Sequence, residues 1–586
     1  MSQAIQTGAL IVQGDGTVLL DLHDSGADEA RDAIAPFAEL EKSPEHMHTY
    51  RLTPLSLWNA AGAGLDAEEV LTRLHRHARY TPAEHISVMV RDTVSRFGKL
   101  VLEASDDPYR LTLLIYDEDI AAEIRGRKKL HTLLHPVDES GIDATGSNGG
   151  TSEPGGDTDR PRPADCFMVK LADRGTVKQE LIHIGYPVKD LAPLREGDPI
   201  AIPLRSERGV GGPFVVRDYQ TEAVAALLGD RGPGTGFGTV VLPCGAGKTV
   251  VGMQAMSALA TNTLVLTTNV AAVHQWMDEL RDKTELAPED IGEYTGDTKN
   301  IRPITIATYQ VLVWRKDKDS EFPHFDIFRK RKWGLIIYDE VHLLPAPVFR
   351  VTAELQAVRR LGLTATLVRE DGREADVFSL VGPKRYDVPW KELESRGWIA
   401  EAHCHEIRID LPKQDRSGYA ASDKRGKFRI ASINPAKVPA AQSIIANHPE
   451  DHILVIGQYL EQLDIIAAEL NAPLITGRTP NKERERIYRE FREGKTPVIV
   501  VSKVANFAID LPDASVAVQI SGSFGSRQEE AQRLGRILRP KKRNSHFYTI
   551  VSRFTVEEEF AVNRQRFLTE QGYKYHIDHW DLGAVQ

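Results

Sequence analysis

From residue 239 the chain alternates two kinds of apolar pattern. Short runs of aliphatic and β-branched residues at 239–242, 263–268, 304–308, 335–338 and 360–363 predict buried strands. Between them, 250–259 and 271–281 repeat apolar residues at three and four, the spacing of helices with one buried face. Such alternation builds a parallel sheet covered by helices on both sides. It restarts after about residue 440, with strand-like runs at 453–456, 498–501, 516–520 and 547–551. The predicted class is α/β, with two parallel-sheet domains in tandem and a cleft between them.

Upstream the pattern changes. Residues 66–79 and 82–97 have helical spacing, and 99–103 and 109–116 read as two strands around Asp106-Asp107-Pro108. This predicts an α+β module over 1–140 with a winged-helix-like part at 66–116. Its second helix would suit a major groove, with Arg91, Arg96 and Lys99 as contacts. Charge argues for the other reading, a protein-docking module. Residues 1–140 hold 14 Lys+Arg against 23 Asp+Glu, a poor balance for phosphate contact. Residues 141–165 are mostly Gly, Ser, Pro, Thr and Asp, the composition of a flexible linker.

A chain of 586 residues needs several cores. No apolar run reaches membrane-spanning length and no secretory signal opens the chain, which predicts a cytoplasmic protein with no membrane partner. Cys166, Cys244 and Cys404 are isolated, so neither disulfides nor a cysteine metal site is expected. The net charge of −10 seats itself in the first 140 residues. The remainder carries 59 basic against 60 acidic residues and leaves a nucleic-acid partner open.

The chemistry enters where strands meet loops. Pro243, Cys244, Gly245, Ala246 and Gly247 join a strand to a helix that opens at Lys248 and Thr249. Backbone N–H groups and a helix N-terminus make a phosphate cradle there. Lys248 would neutralise β/γ charge and the Thr249 hydroxyl would ligate Mg2+. Leu242 stands where the strict pattern has its first glycine. Asp339 and Glu340 leave the C-terminal end of a buried strand. Asp339 is expected on Mg2+, and Glu340 on the attacking water. Together these residues predict ATP and Mg2+ as ligands. Far downstream a helical segment carries Gln532, Arg536 and Arg539, read either as arginine fingers from the second domain or as a solvated basic helix.

In this order, 243–249, 339–342, Thr364-Ala365-Thr366 and 532–539 resemble the signature motifs of superfamily 2 helicases. Arg369-Glu370-Asp371, the stretch 502–512, the stretch 525–536 and the closing 564–573 resemble the XPB family of DNA repair helicases, of the bacterial type. The resemblance implies two RecA-like domains, at 206–390 and 436–586. It also implies a connector at 391–435 with a basic thumb-like insertion, and a small damage-sensing-like domain at 166–205. It implies an ATP-dependent 3′→5′ DNA helicase or translocase acting on single-stranded, forked or duplex DNA. Arg217 and Gln220 match the adenine-reading position. Arg369, Glu370 and Asp371 match a loop that handles DNA, and Lys424, Arg425 and Lys427 are the basic residues of the thumb. A nuclease or another repair or transcription protein is the implied partner. Two other readings stand beside this one: a duplex translocase or switch that serves a nuclease, and an ATP-gated assembly scaffold.

Overall fold

The computed structural model describes residues 8–42, 46–107, 109–137, 161–232, 234–243, 245–317, 322–344, 348, 358–365, 374–502, 514–522, 530, 533–535, 537–538 and 544–580. The chain forms two compact units, one of residues 1–39, 51–241 and 249–387, the other of 40–50, 242–248 and 388–586. Among the described residues no helix is long and apolar enough to cross a membrane.

The first unit contains a seven-stranded sheet. Its strands run in the order Ile291–Tyr294, Ile304–Thr308, Thr263–Thr267, Leu335–Asp339, Arg359–Thr364, Phe237–Val241 and Lys384–Asp387, all parallel. The central five are buried almost throughout, which is why they read as continuous apolar runs. The edge strands Ile291–Tyr294 and Lys384–Asp387 carry Glu293, Lys384, Arg385 and Asp387, and gave no such run. Under the sheet, Trp333, Ile336 and Tyr338 pack with Tyr309, Ile327 and Phe328.

The second unit repeats this order with its own strands: Leu474–Ile475, Val498–Ser502, Ile453–Gly457, Val516–Gln519, Ser545–Ser552, Ala402–Ile409 and Tyr575–Trp580, again parallel. The sequence assigned 391–435 to a connector, yet Ala402–Ile409 is a full member of the sheet, paired along its whole length. Its apolar signal is diluted because His403 and His405 occupy alternate positions on one face. That face carries an aromatic ladder. His405 stacks on Tyr548 at 4.5 Å between ring centroids, and lies 5.8 Å from His546 and 5.7 Å from His576. In the same unit Lys437 is buried, donating to both oxygens of Glu557 at 2.7 and 2.8 Å and to the Ile520 carbonyl.

The helices expected near 66–97 form as Ala67–His77 and Glu84–Arg96, and Leu100–Ala104 pairs antiparallel with Arg110–Ile115. The hairpin is no free wing. Val188–Asp190 pairs along one side of it and Asp165–Lys170 along the other, with Leu134–Pro136 beyond. Residues on both sides of 141–165 therefore share one five-stranded sheet. Beyond it, the chain runs along the domain built on the first seven-stranded sheet, with Ile200 donating to the Ala260 carbonyl and Arg205 to that of Lys283. Arg91, Arg96 and Lys99 are engaged within the fold, on Glu68, Asp92 and Asp117.

A buried charge cluster sits where the five-stranded sheet ends. Asp190 accepts from Arg174 at 2.8 and 3.0 Å and from Lys178 at 2.9 Å, all three groups being nearly inaccessible. Burial alone would raise the Asp190 carboxyl, but Lys178 and Arg174 outweigh it and hold the group below its usual range. Burial draws the Lys178 ammonium down to about 8 against the pull of Asp190.

Candidate active site

Phe237–Val241 is buried at every position and hands the chain to Leu242 and Pro243. Gly245 and Gly247 both adopt φ of +82°, a conformation that L side chains resist, and the helix Lys248–Leu259 follows at once. The turn therefore needs glycine at both places, and it delivers the first N–H groups of a helix to its mouth. Within it the Ala246 N–H donates to the Pro243 carbonyl at 3.2 Å, and Lys248 Nζ lies 3.5 Å from the Leu242 carbonyl oxygen. Cys244 lies outside the described residues.

Asp339 ends the strand Leu335–Asp339, at the edge where ligands bind in such sheets. Its Oδ2 accepts from Trp276 Nε1 at 2.9 Å, and its backbone carbonyl accepts from the Tyr309 hydroxyl at 3.0 Å. Burial, with the charge of Asp339 next in size, pushes the Tyr309 hydroxyl well above its usual pKa and keeps it a donor. Trp276 also touches the phosphate-loop helix. A Cβ on Gly252 would lie 2.5 Å from the indole, so only glycine admits this approach. One indole thus links the helix behind the phosphate loop to the expected Mg2+ ligand.

Glu340 follows in the left-handed region, at φ 51° and ψ 54°. A non-glycine residue held there costs about 1–3 kcal/mol, and such strain gathers at functional sites. The turn carries the chain into His342, which is buried. Its Nδ1 is 2.7 Å from Thr364 Oγ1 and 3.5 Å from Glu340 Oε2. The imidazole bridges the carboxylate loop and the end of the next strand.

Gln220 is buried on the helix Asp218–Leu228, where its Oε1 accepts from the Arg217 N–H at 3.0 Å, while the Arg217 guanidinium donates to the Tyr219 hydroxyl at 2.9 Å. Lys424, Arg425 and Lys427 lie in the first turn of Lys424–Ser432. Lys424 and Arg425 are exposed, and the Lys427 ammonium sits over the Tyr419 ring. Arg369, Glu370, Asp371, Gln532, Arg536 and Arg539 fall outside the described residues. Their neighbour Arg533 is described and points inward, donating to Gln519 Oε1, while Gln519 donates to Glu530 at 3.0 Å.

The structure thus brings together Asp339, Glu340, His342 and Thr364, and supports them with Trp276 and Tyr309. Sequence reasoning missed the last two. Trp276 shares the apolar face of Val270–Lys283 with Val273, Met277 and Leu280 and reads as core. The one available signal was that a buried indole N–H needs an acceptor. Among the described residues no group of three or more His, Cys, Asp or Glu side chains is arranged as a metal site. The donor set does fit Mg2+, which takes oxygen ligands and needs only one or two from the protein beside the phosphates. Thr249 would supply a hydroxyl and Asp339 a carboxylate.

Comparison with known proteins agrees. The ERCC3/RAD25/XPB C-terminal helicase model matches residues 393–581, and the model for the res subunit of type III restriction enzymes matches 213–369. A model described as a helicase conserved C-terminal domain matches 10–136. A DNA 3′-5′ helicase XPB of Kineococcus radiotolerans is 50% identical over 572 residues, 97% of this chain and 96% of that one. The Mycobacterium tuberculosis protein of the same name is 49% identical, covering 97% of both chains. A general transcription and DNA repair factor IIH helicase/translocase subunit XPB from Antonospora locustae is 33% identical over 97% of this chain and 81% of its own. Matched along nearly its whole length to proteins that share up to half its residues, the chain belongs to the XPB family of helicases.

Proposed function

We propose that this protein is an ATP-dependent DNA helicase that moves 3′→5′ and couples ATP hydrolysis to strand separation in DNA repair. The observation that carries the reading is that Phe237–Val241, which runs on into the glycine turn, and Leu335–Asp339, which ends on Asp339 and is followed by Glu340, are strands of one parallel sheet. The names of the bacterial relatives support the reaction and its polarity. Bound Mg2+ supplies charge neutralisation on the phosphate oxygens. Lys248 and the loop N–H groups hold the β- and γ-phosphates, and Glu340 accepts a proton from the attacking water, oriented by His342 and Thr364. Arg217 and Gln220 recognise the base. Gln532, Arg536 and Arg539 complete the phosphate contacts, the arginines stabilising the charge that develops in phosphoryl transfer. Lys424, Arg425, Lys427 and the loop 369–371 handle DNA. The place of action is the bacterial cytoplasm.

The test is strand displacement on duplexes with a 3′ or a 5′ tail, beside ATPase rates with single-stranded, forked and duplex DNA and RNA. Unwinding confined to 3′-tailed DNA, and lost in Lys248→Ala, is the expected result. Equal activity on both tails would overturn the polarity.

A second reading follows from the word translocase in the Antonospora name: a duplex-tracking motor that serves a nuclease or another repair protein and separates little DNA alone. Triplex displacement without strand displacement would establish it.

A further inference from the structure

In the first unit a cavity of about 290 Å3 opens where the N-terminal module meets the first motor domain. Its walls are mixed, with an apolar part and a charged part made by Lys178, Lys189, Asp190 and Arg385. Phe97 closes the helix Glu84–Arg96, and Phe378 belongs to the helix Glu374–Leu380. Their rings meet edge to face at 6.4 Å, and Ile182 and Pro383 add to the lining. Into these walls comes the edge strand Lys384–Asp387 with Arg385.

Arg385 is bound in an unusual way. Nε donates to the Phe237 carbonyl at 3.2 Å, Nη1 to Gly62 at 3.0 Å and Nη2 to Gly234 at 2.5 Å. All three acceptors are neutral carbonyls, and no carboxylate pairs with Arg385 among the described residues. A guanidinium has five N–H donors, so two remain. Lys178, which lines the same cavity, differs: it is bound to Asp190, a carboxylate that it shares with Arg174 behind the wall. Lys178, Arg360 and Arg385 all lie within 5.0–5.6 Å of the Phe237 ring centroid. A largely buried charge without a counter-charge is costly, and burial lowers the Arg385 pKa accordingly. A ligand that brought one negative charge and an apolar body would satisfy both the cation and the walls.

We propose that this cavity is a binding site for a small apolar organic anion, an aryl carboxylate or sulfonate. Its acid group pairs with Arg385 and its ring lies against Phe97 and Phe378. The volume sits at the small end of ligand pockets, about 300–1,000 Å3, which suits a molecule of one or two ring systems. Because the walls come from Ala61 and Phe97 on one side and Phe378, Pro383 and Arg385 on the other, an occupant ties the N-terminal module to the motor domain. The site is separate from the residues assigned to ATP.

The probe is 8-anilinonaphthalene-1-sulfonate, titrated into the full-length protein with the nucleotide site saturated by Mg–ADP. One saturable site with blue-shifted emission is expected. Arg385→Met should weaken it about tenfold or more, the scale of a lost charge-assisted hydrogen bond, and Arg385→Lys less. Ala61→Leu, which fills the cavity without touching Arg385, should abolish it while the unfolding midpoint and DNA-stimulated ATPase stay unchanged. Hydrogen exchange at 59–62 and 384–387 should slow when the dye binds. Unsaturable binding, or equal affinity in Ala61→Leu and in a folded Arg385→Met, would overturn the proposal.

Discussion

The two seven-stranded sheets are the same topology used twice. In each, the third and fourth strands in chain order form one edge, the first lies sixth and the last closes the other edge. What differs is the end of the first strand. Phe237–Val241 runs into the glycine turn, whereas Ala402–Ile409 runs into Asp410-Leu411-Pro412, with no glycine and no following lysine–threonine pair. Sheet topology therefore builds a platform at the strand ends, and a few loop residues decide whether it holds phosphate. The interiors are alike in holding buried charge, Arg360 on a strand of the first sheet being one case. The second sheet keeps Lys437, Glu557, Glu530, Arg533 and Arg564 buried beside it, each bound into a polar network.

The comparison can be broken in four places. Lys248→Ala removes one of the loop residues that the second sheet lacks. DNA-stimulated hydrolysis should fall about a hundredfold or more with the unfolding midpoint unchanged, as read by a coupled ATPase assay beside a thermal scan. Glu557→Gln attacks the second unit alone, leaving the Lys437 ammonium buried without its counter-charge. A loss of about 3–5 kcal/mol is expected, read by urea unfolding, with amide exchange accelerating along 453–457 and 516–519 but not along 263–267. Trp276→Phe keeps an aromatic side chain, draws it back from Gly252 and deletes the donor to Asp339. A hydrogen bond to a charged group contributes about 1.5–3 kcal/mol, so the Mg2+ concentration for half-maximal ATPase should rise roughly tenfold.

The fourth effect is acid-dependent. Burial, reinforced by His546, His576 and His403 and opposed by Asp578, draws the His405 imidazole down to about 4. The folded form takes up its proton less readily than an unfolded chain, whose histidines titrate near 6.5. Stability is then intact above 6.5, declines as pH falls from 6.5 to 4, and declines no further on this account below 4. His405→Phe, which keeps the stack on Tyr548, should flatten that slope in urea unfolding between pH 7 and 4.5.

Much of this was legible in the residues. Buried parallel strands must be continuously apolar, so nine of them declared themselves within two residues of their observed ends. Asp339 and Glu340 were placed at a strand end by the apolar run before them. Edge strands escaped because their polar faces need no burial, as Lys384–Asp387 shows. Ala402–Ile409 escaped because imidazoles took the places of aliphatic side chains. Trp276 escaped for a deeper reason: nothing local says that a tryptophan on helix Val270–Lys283 donates to a carboxylate 63 positions later. That pairing is created by the sheet.

The five-stranded sheet carries a last consequence. Leu134–Pro136 and Asp165–Lys170 are antiparallel neighbours, so the chain leaves and re-enters the same side of one sheet. The intervening residues set no distance between bodies, and lengthening them costs only a logarithmic increment of closure entropy. A protein cleaved there should stay in one piece by gel filtration, and its two fragments, made separately, should find each other by strand pairing. The interruption is a natural place to split the enzyme into halves that work only when reunited.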